Sequence, residues 1–432
     1  MSLETVLRDR LEAGRAWWRT LSPHRRATVA ALALMIVGGV VLRCWNIGFP
    51  PRFTFDEHHF VPGARHYLVG EADDNDHPPL GKLFLAVSIL CFGDNPVGWR
   101  AASLIFGLQT LVVVAALARE LFDDRRAGWF AAAFFAADGF FLAYSRTALL
   151  DGGLTCLVLW SVLAAATART WRGVLVSAVF VGLAASVKWN GGLAVLPAAL
   201  TILALGRAPR WTVLLFAAAP VVHLGLWLAS LPLTGKPADI PTLVAAIRED
   251  LKHHIELGHK TNPLASPWYS WPFLTHPIVV KLADRGRSRF YASSGGNPAL
   301  FYPATLAVFS ALGAVVAAVA RPALRERVRA LVPPNVARAV VVLAGGWLAL
   351  LAPWMVGRGT YTFWYHYMPS YGLALVLLAG VVAHLERTRE RDVATFVAVA
   401  LAFFVYFAPV WAEFRVSLGA ANARLVFPGW KP

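Results

Sequence analysis

Apolar residues in this chain gather into long runs rather than the alternating or three-to-four spacing of elements with one wet face. A helix needs about 20 predominantly apolar residues to cross ~30 Å of hydrocarbon. Eleven segments are candidates for that role: 27–44, 99–119, 127–145, 149–168, 173–188, 190–206, 211–231, 299–320, 338–356, 362–384 and 393–411. A further run, 80–93, is short; at 1.5 Å per residue its roughly 14 residues reach about 21 Å, so it either spans a thinned bilayer or lies in the interface. Two longer segments, 45–98 and 232–298, interrupt the pattern. Within the second, Ile240, Leu243, Ile247, Leu251 and Ile255 have helical spacing, which predicts an amphipathic helix over 238–257 lying along the interface. A helix over 57–69 is expected in the first.

Composition agrees. Of 432 residues, 57% are hydrophobic and only 15% charged, against about a quarter charged in soluble domains. The expected fold class is an all-α polytopic membrane protein, one membrane-embedded unit over 1–432. The net charge of +15 is mostly arginine lying between apolar runs, where cytoplasmic loops carry it, so nucleic acid is not an expected partner; the lipid bilayer is. Cys44, Cys91 and Cys156 have neither disulfide nor zinc spacing and read as small apolar residues.

Charge also sets the topology. The basic, amphipathic segment 1–26 reads as cytoplasmic, not as a cleaved leader. If 80–93 does not cross, Arg125, Arg126, Arg169, Arg172, Arg207, Arg210, Arg321, Arg325, Arg327, Arg329, Arg387, Arg389 and Arg391 all fall on the cytoplasmic side. If it does cross, all move outside, against the positive-inside rule. The expectation is therefore eleven spans, N-terminus in, with 45–98, 232–298 and the tail 412–432 outside.

The first outer segment is the densest in titratable groups: FTFDEHHFVPGARHYLVGEADDNDHPPLGK over 53–82. Asp56 and Glu57 follow an apolar stretch, where a carboxylate gains a raised pKa and suits a general base. Asp56 fits equally as the N-cap of the helix over 57–69, with Glu57 in its first turn. Asp76 fits as the cap of the short run 80–93, whose N-terminus, with Lys82 on its first turn, is suited to a phosphate; Lys82 also fits as a snorkelling interfacial lysine. His58, His59 and His77, with the nearby carboxylates, offer ligands for a divalent metal but match no standard zinc pattern, and hydrogen bonding or substrate contact is the expected role; no metal or other cofactor is required.

Other outer helix ends carry charge, which is costly at a membrane edge and points to function. Arg146 suits an ion pair with Asp151 or a phosphate. Lys188, beside Trp189, suits a phosphate or an interfacial anchor. Trp268, Tyr269 and Trp271, and His366 within 361–369, suit sugar stacking or the headgroup belt.

Seven motifs, in order along the chain, resemble the protein O-mannosyltransferase family of GT-C membrane glycosyltransferases: FDEHHF (55–60), DHPPLGK (76–82), SRTALLDG (145–152), VKWNG (187–191), SPWYSWP (266–272), GGNP (295–298) and FWYHYMP (363–369). The resemblance implies a GT-C fold and a polyprenyl-phosphate mannose donor. It implies transfer to a Ser or Thr of a secreted or membrane protein at the outer face of a bacterial cytoplasmic membrane. It makes Asp56 the catalytic carboxylate with Glu57 beside it, and Lys82, Arg146 and Lys188 the residues near the lipid phosphate. Eukaryotic members carry a large folded domain in the second outer loop; 232–298 is too short to hold one, which points to a bacterial type and leaves a glycan or lipid acceptor, or another sugar, as alternatives. A transporter of lipid-linked substrate is the reading from another class; internal repeats, its usual mark, are not evident.

Overall fold

The computed structural model describes residues 3–73, 76–258, 260–285, 288–356 and 361–425; Asp74 and the end of the tail lie outside them. The chain opens with α1 (Leu3–Thr20) and α2 (Pro23–Cys44), the latter capped by Ser22, whose hydroxyl accepts from Arg25 N. The first outer segment folds as α3 (Glu57–Val69), closed by Gly70 at φ 75°, and α4 (Leu80–Phe92). α4 has 13 residues, about 20 Å of helix, too short to cross unaided.

α5 (Pro96–Phe122) follows, with Asn95 accepting from Val97 N and Gly98 N. The expected single span 127–145 is broken into α6 (Arg125–Ala136) and α7 (Gly139–Tyr144). A helix broken inside a bilayer must satisfy its freed backbone groups within the protein, and two buried side chains do this. Arg43 donates to the carbonyls of Phe135 and Ala136, at 2.9 and 3.0 Å. Asp138 accepts from Phe140 N, Asn297 N and the Tyr371 hydroxyl at 2.8 to 3.0 Å. A cation thus closes the C-terminal end of one half and an anion opens the other, both aligned with the helix dipoles.

Next come α8 (Leu150–Thr167) and α9 (Trp171–Val187), then a 3-10 turn over Trp189–Ala194 leading into α10 (Val195–Leu205). α11 (Ala218–Ser230) is flanked by 3-10 turns, and α12 (Ile240–Leu257) is the expected amphipathic helix. The second outer segment then departs from the all-helical expectation. β1 (Val279–Arg285) and β2 (Ser288–Ser293) form an antiparallel hairpin. α13 (Pro298–Ala320), α14 (Pro322–Leu331), α15 (Pro334–Val356), α16 (Met368–Leu385) and α17 (Glu390–Trp411) complete the helical body. β3 (Val416–Ser417) joins β2, and α18 (Leu418–Asn422) follows.

Among the described residues eight helices are long and apolar enough to span a membrane. The other three expected spans are helical but shorter: α9, the Trp189–Leu205 segment and the broken α6–α7 pair. This is a multi-pass membrane protein. α16 is almost wholly buried and packs against α6, α8, α13 and α15. The arginine-rich loops meet one another at one end: Arg25 pairs with Glu390, Arg126 with Glu386, Arg387 with Asp124, and Arg169 and Arg207 with Glu120.

Candidate active site

The turn over residues 53–57 is built around Glu57. Its carboxylate is fully buried and accepts from Arg100 Nε and Nη2 at 2.8 and 2.9 Å, from Ala148 N at 2.9 Å, and from Thr54 N and Oγ1 at 3.0 Å each. Arg100 spends its remaining donors on the carbonyls of Ile47, Phe49, Pro50 and Arg52 at 2.9 to 3.1 Å. One guanidinium thus gathers the whole loop that follows α2. Burial alone would raise the Glu57 carboxyl; hydrogen bonds and charge from Arg100 overcome it and hold the group below its ordinary range. With both oxygens engaged by these donors, Glu57 braces the turn that carries its neighbour Asp56. The brace carries a strain: Phe55 sits at φ 47°, a left-handed conformation costly for a bulky side chain.

That turn sends Asp56 into a cavity of about 940 Å³ between α3, the Lys188–Asn190 turn, α12, Trp354 and residues 361–366. Asp56 occupies the expected N-cap position of α3, but its side chain makes no capping hydrogen bond. Burial pushes its carboxyl up to about 6, with Lys188 pulling the other way. Lys188 lines the same cavity and is held by Asp151, with its Nζ 4.9 Å from the Tyr365 ring centre. The ammonium therefore lies over a ring face, a position that suits a cation.

His59, Asp76, His77 and His366 line the cavity too. His366 is stacked on Trp354 at 4.0 Å and 15°, and its Nδ1 accepts from Phe363 N at 3.1 Å. In a neutral ring the proton is then on Nε2. His77 lies 5.2 Å from His254 between ring centres, and burial together with the Lys188 charge holds it well below its ordinary range. Among the described residues no group of three or more His, Cys, Asp or Glu is arranged to hold a metal ion.

Four expected residues lie elsewhere. Lys82 is buried between Asp73 and Asp76, 2.8 Å from the latter; both carboxylates occupy its ammonium, and Asp76 is accordingly not a cap, since Pro79 holds that position. Arg146 does not pair with Asp151. It is buried behind the loop, donating to the carbonyls of Leu42, Arg43 and Trp45 and standing 3.5 Å from Glu413. Trp271 is fully buried with its indole N–H on Ser266 Oγ at 2.9 Å, and Trp268 packs against the edge of the core; neither lines the cavity.

Several functional positions were not anticipated. Arg100 stands alone at the mouth of an apolar run, which is itself a signal. Asp250 interrupts the face of α12, where it accepts from the Trp189 indole at 2.6 Å and pairs with His254 at 2.9 Å. This clamps α12 onto the turn that presents Lys188. Lys281, on β1, and Glu413 pair at 2.9 Å beneath the hairpin, and burial pulls the Lys281 ammonium down to about 8.

With this geometry in place, comparison with known proteins gives a consistent result. Residues 76–233 match the family model described as dolichyl-phosphate-mannose-protein mannosyltransferase, and 243–430 match that of the C-terminal four-transmembrane region of protein-O-mannosyltransferase. The chain is 29% identical over 219 residues to the polyprenol-phosphate-mannose–protein mannosyltransferase of Corynebacterium glutamicum, covering 40% of each chain. It is 30% identical over 170 residues to the Mycobacterium tuberculosis protein of the same name, 32% of this chain and 33% of that one. The matched region thus spans well under half of these relatives. The yeast Pmt1–Pmt2 protein O-mannosyltransferase complex bound to the sugar donor shares the fold at a TM-score of 0.75 and 14% identity, covering 96% of this chain and 94% of that one. ArnT of Cupriavidus metallidurans bound to undecaprenyl phosphate gives 0.60 at 14% identity, over 88% of this chain and 76% of that one. The fold is GT-C, and the two family models between them run through nearly the whole chain from residue 76 onward: the chain belongs to the protein O-mannosyltransferase family.

Proposed function

We propose that the protein is an inverting glycosyltransferase that moves mannose from a polyprenyl-phosphate carrier to a Ser or Thr hydroxyl of a secreted or membrane protein. The observation that carries this reading is Asp56: a carboxylate at a helix N-cap that makes no capping hydrogen bond, raised to about 6, in an aromatic cavity beside Lys188. A hydroxyl is a weak nucleophile at neutral pH and needs a positioned base. Asp56 takes its proton as the hydroxyl oxygen bonds to the anomeric carbon. The bond from that carbon to the phosphate oxygen breaks, and the lipid phosphate leaves with the electron pair. One displacement on one face inverts the centre.

Lys188 stabilises the charge growing on the phosphate, as fixed charges do best in a dry site. Tyr361, Phe363 and Tyr365 offer ring faces to the sugar, and the Nε2–H of His366 offers a donor. Lys82 acts through Asp76, and Arg146 through the loop it anchors. The family model names, the names of the bacterial relatives and the donor-bound yeast complex support the choice of donor. The positive-inside rule supports a cytoplasmic N-terminus and a cavity opening outward from a bacterial cytoplasmic membrane.

The test is transfer by purified protein in detergent, from radiolabelled polyprenyl-phosphate mannose to a Ser/Thr peptide, with Asp56→Asn as control. Label in peptide from wild type and none from the variant is expected. Equal transfer by a folded Asp56→Asn protein removes the base; label in glycan or lipid alone moves the acceptor.

A further inference from the structure

A second groove of about 700 Å³ lies on the other side of Phe55, lined by Arg52, Phe53, His58, Trp99, Val280 and Leu282. Phe55 lines both this groove and the cavity that holds Asp56, so the two adjoin at that residue. The groove runs along β1, which is an edge strand: the sheet order is β1-β2-β3 and β2 covers only one side of it. The Leu282 carbonyl points out of the sheet on the free side, where Arg52 Nη2 donates to it at 3.3 Å. In an antiparallel strand a residue's N–H and C=O share one side, so the Leu282 N–H points outward too.

The opposite wall is preformed. Phe53 and Trp99 pack at 4.5 Å, Arg65 lies over both rings at 5.3 and 5.7 Å, and the Trp99 indole donates to Asp94 at 2.6 Å. An exposed edge is ordinarily a hazard that proteins cover or blunt. Here, apart from the Arg52 contact, it faces an aromatic wall whose Phe53 lies three residues before the base.

We propose that this groove is the acceptor subsite: an extended polypeptide segment adds to the free edge of β1 beside Phe53 and Trp99, and its Ser or Thr hydroxyl passes Phe55 to reach Asp56. The inference rests on the transfer reaction proposed above and adds how the acceptor is recognised. Outward N–H and C=O groups are complementary to a peptide backbone, with the exposed Arg52 giving up the Leu282 carbonyl as the acceptor docks, whereas a glycan or lipid tail has no matching periodicity. Main-chain pairing also reads little sequence, which suits an enzyme whose acceptors share a hydroxyl and an extended chain. From Val279 to Leu282 the edge spans roughly 10 Å at about 3.3 Å per residue, with a register irregularity between Val279 and Lys281, room for three or so residues of acceptor.

The experiment uses the full chain in lipid nanodiscs with polyprenyl-phosphate mannose and a nine-residue peptide bearing one Ser, with its backbone N-methylated one position at a time. Alternate N-methylations should raise KM for the peptide about fivefold each, the worth of one net hydrogen bond, while the intervening ones stay within about twofold. Leu282→Pro removes one outward N–H without touching the β1–β2 ladder. It should raise KM for the peptide while leaving KM for the donor unchanged. Equal tolerance of N-methylation at every position overturns the groove, even if Leu282→Pro fails to fold. So does label that enters only a glycan or lipid. Absence of transfer to any acceptor overturns the underlying reaction as well.

Discussion

Lys188 Nζ stands 3.0 and 2.9 Å from the two carboxylate oxygens of Asp151, and both residues are buried. Each starts or ends a helix: Lys188 closes α9 and Asp151 opens α8. The pair therefore fixes a charge at the cavity wall from two rigid elements, as an electrostatic stabiliser requires. Lys188→Met should lower kcat on the order of 100- to 1,000-fold, the range for losing one such group. Asp151→Asn keeps the charge but loosens its aim, and should cost roughly 10- to 100-fold. The double variant should fall no further than about threefold below Lys188→Met, because the two act as a unit. Single-turnover transfer rates check all three; strict additivity would separate the residues.

The raised carboxyl of Asp56 sets a pH dependence. A base works only when deprotonated, so activity is full above its pKa and is lost as pH falls through it. With the group near 6, the rate at saturating substrates should be level above about pH 7 and fall tenfold per unit well below 6, as expected for one proton. Lys188 holds this pKa down while Asp151 and Asp76 push it up. Lys188→Met should therefore move the break to higher pH, in addition to its effect on the plateau. Asp56→Asn should lower the plateau about 100- to 10,000-fold.

These charges were visible in the sequence to different degrees, for a physical reason. The bilayer imposes a length and a polarity on every span, so each of the eleven segments was legible as a helix. The break at Asp138 was not, because its partners Asn297 and Tyr371 come from distant helices. Asp56, His59, Asp76, His77, Lys188 and His366 stood out as titratable groups at outer helix ends, and all line the cavity. Lys82 and Arg146 carried the same signal yet point elsewhere. For Lys82 the answer lay nearby, in Asp73; for Arg146 it lay in Glu413, near the far end of the chain. A cation's role depends on whether a counter-charge reaches it first, and pairings of that range leave no local trace. The hairpin 279–293 was missed because it sits in a segment read only for its amphipathic helix and aromatics.

Glu57 and Arg100 give a prediction that separates bracing from chemistry. Removing one partner of a buried ion pair typically costs about 3–5 kcal/mol, because the other charge is stranded. Glu57→Ala should lower the thermal unfolding midpoint in detergent clearly. Glu57→Gln, which keeps the shape and one good acceptor, should lower it less. Arg100→Lys should behave like Glu57→Ala, since an ammonium cannot replace a fork that serves a carboxylate and four carbonyls together. Whatever activity survives in Glu57→Gln should keep its break near pH 6, because Asp56 and not Glu57 titrates there. A break displaced by a full unit would instead make the two carboxylates a coupled pair.

Gly191 closes the turn that presents Lys188, and the space around it gives the most local test of the site. A Cβ at this position would lie 2.1 Å from the Ala184 carbonyl oxygen and 2.7 Å from a Leu154 methyl. The nearer obstacle is backbone of α9, which cannot rotate away, so Gly191→Ala must shift the turn. Lys188 is three residues upstream, and its carbonyl accepts from Gly191 N at 2.8 Å; any shift is passed directly to the ammonium. A displacement near 1 Å costs on the order of 100-fold in rate, and that is the expected loss. The fold should survive, because α8, α9 and α10 keep their other contacts. Gly192, whose added Cβ would meet Ala185 Cβ only at 3.8 Å, is the internal control: Gly192→Ala should transfer mannose at close to the wild-type rate. Comparable losses in both variants would mean that the turn tolerates no substitution anywhere, and that the argument from the position of Lys188 is wrong.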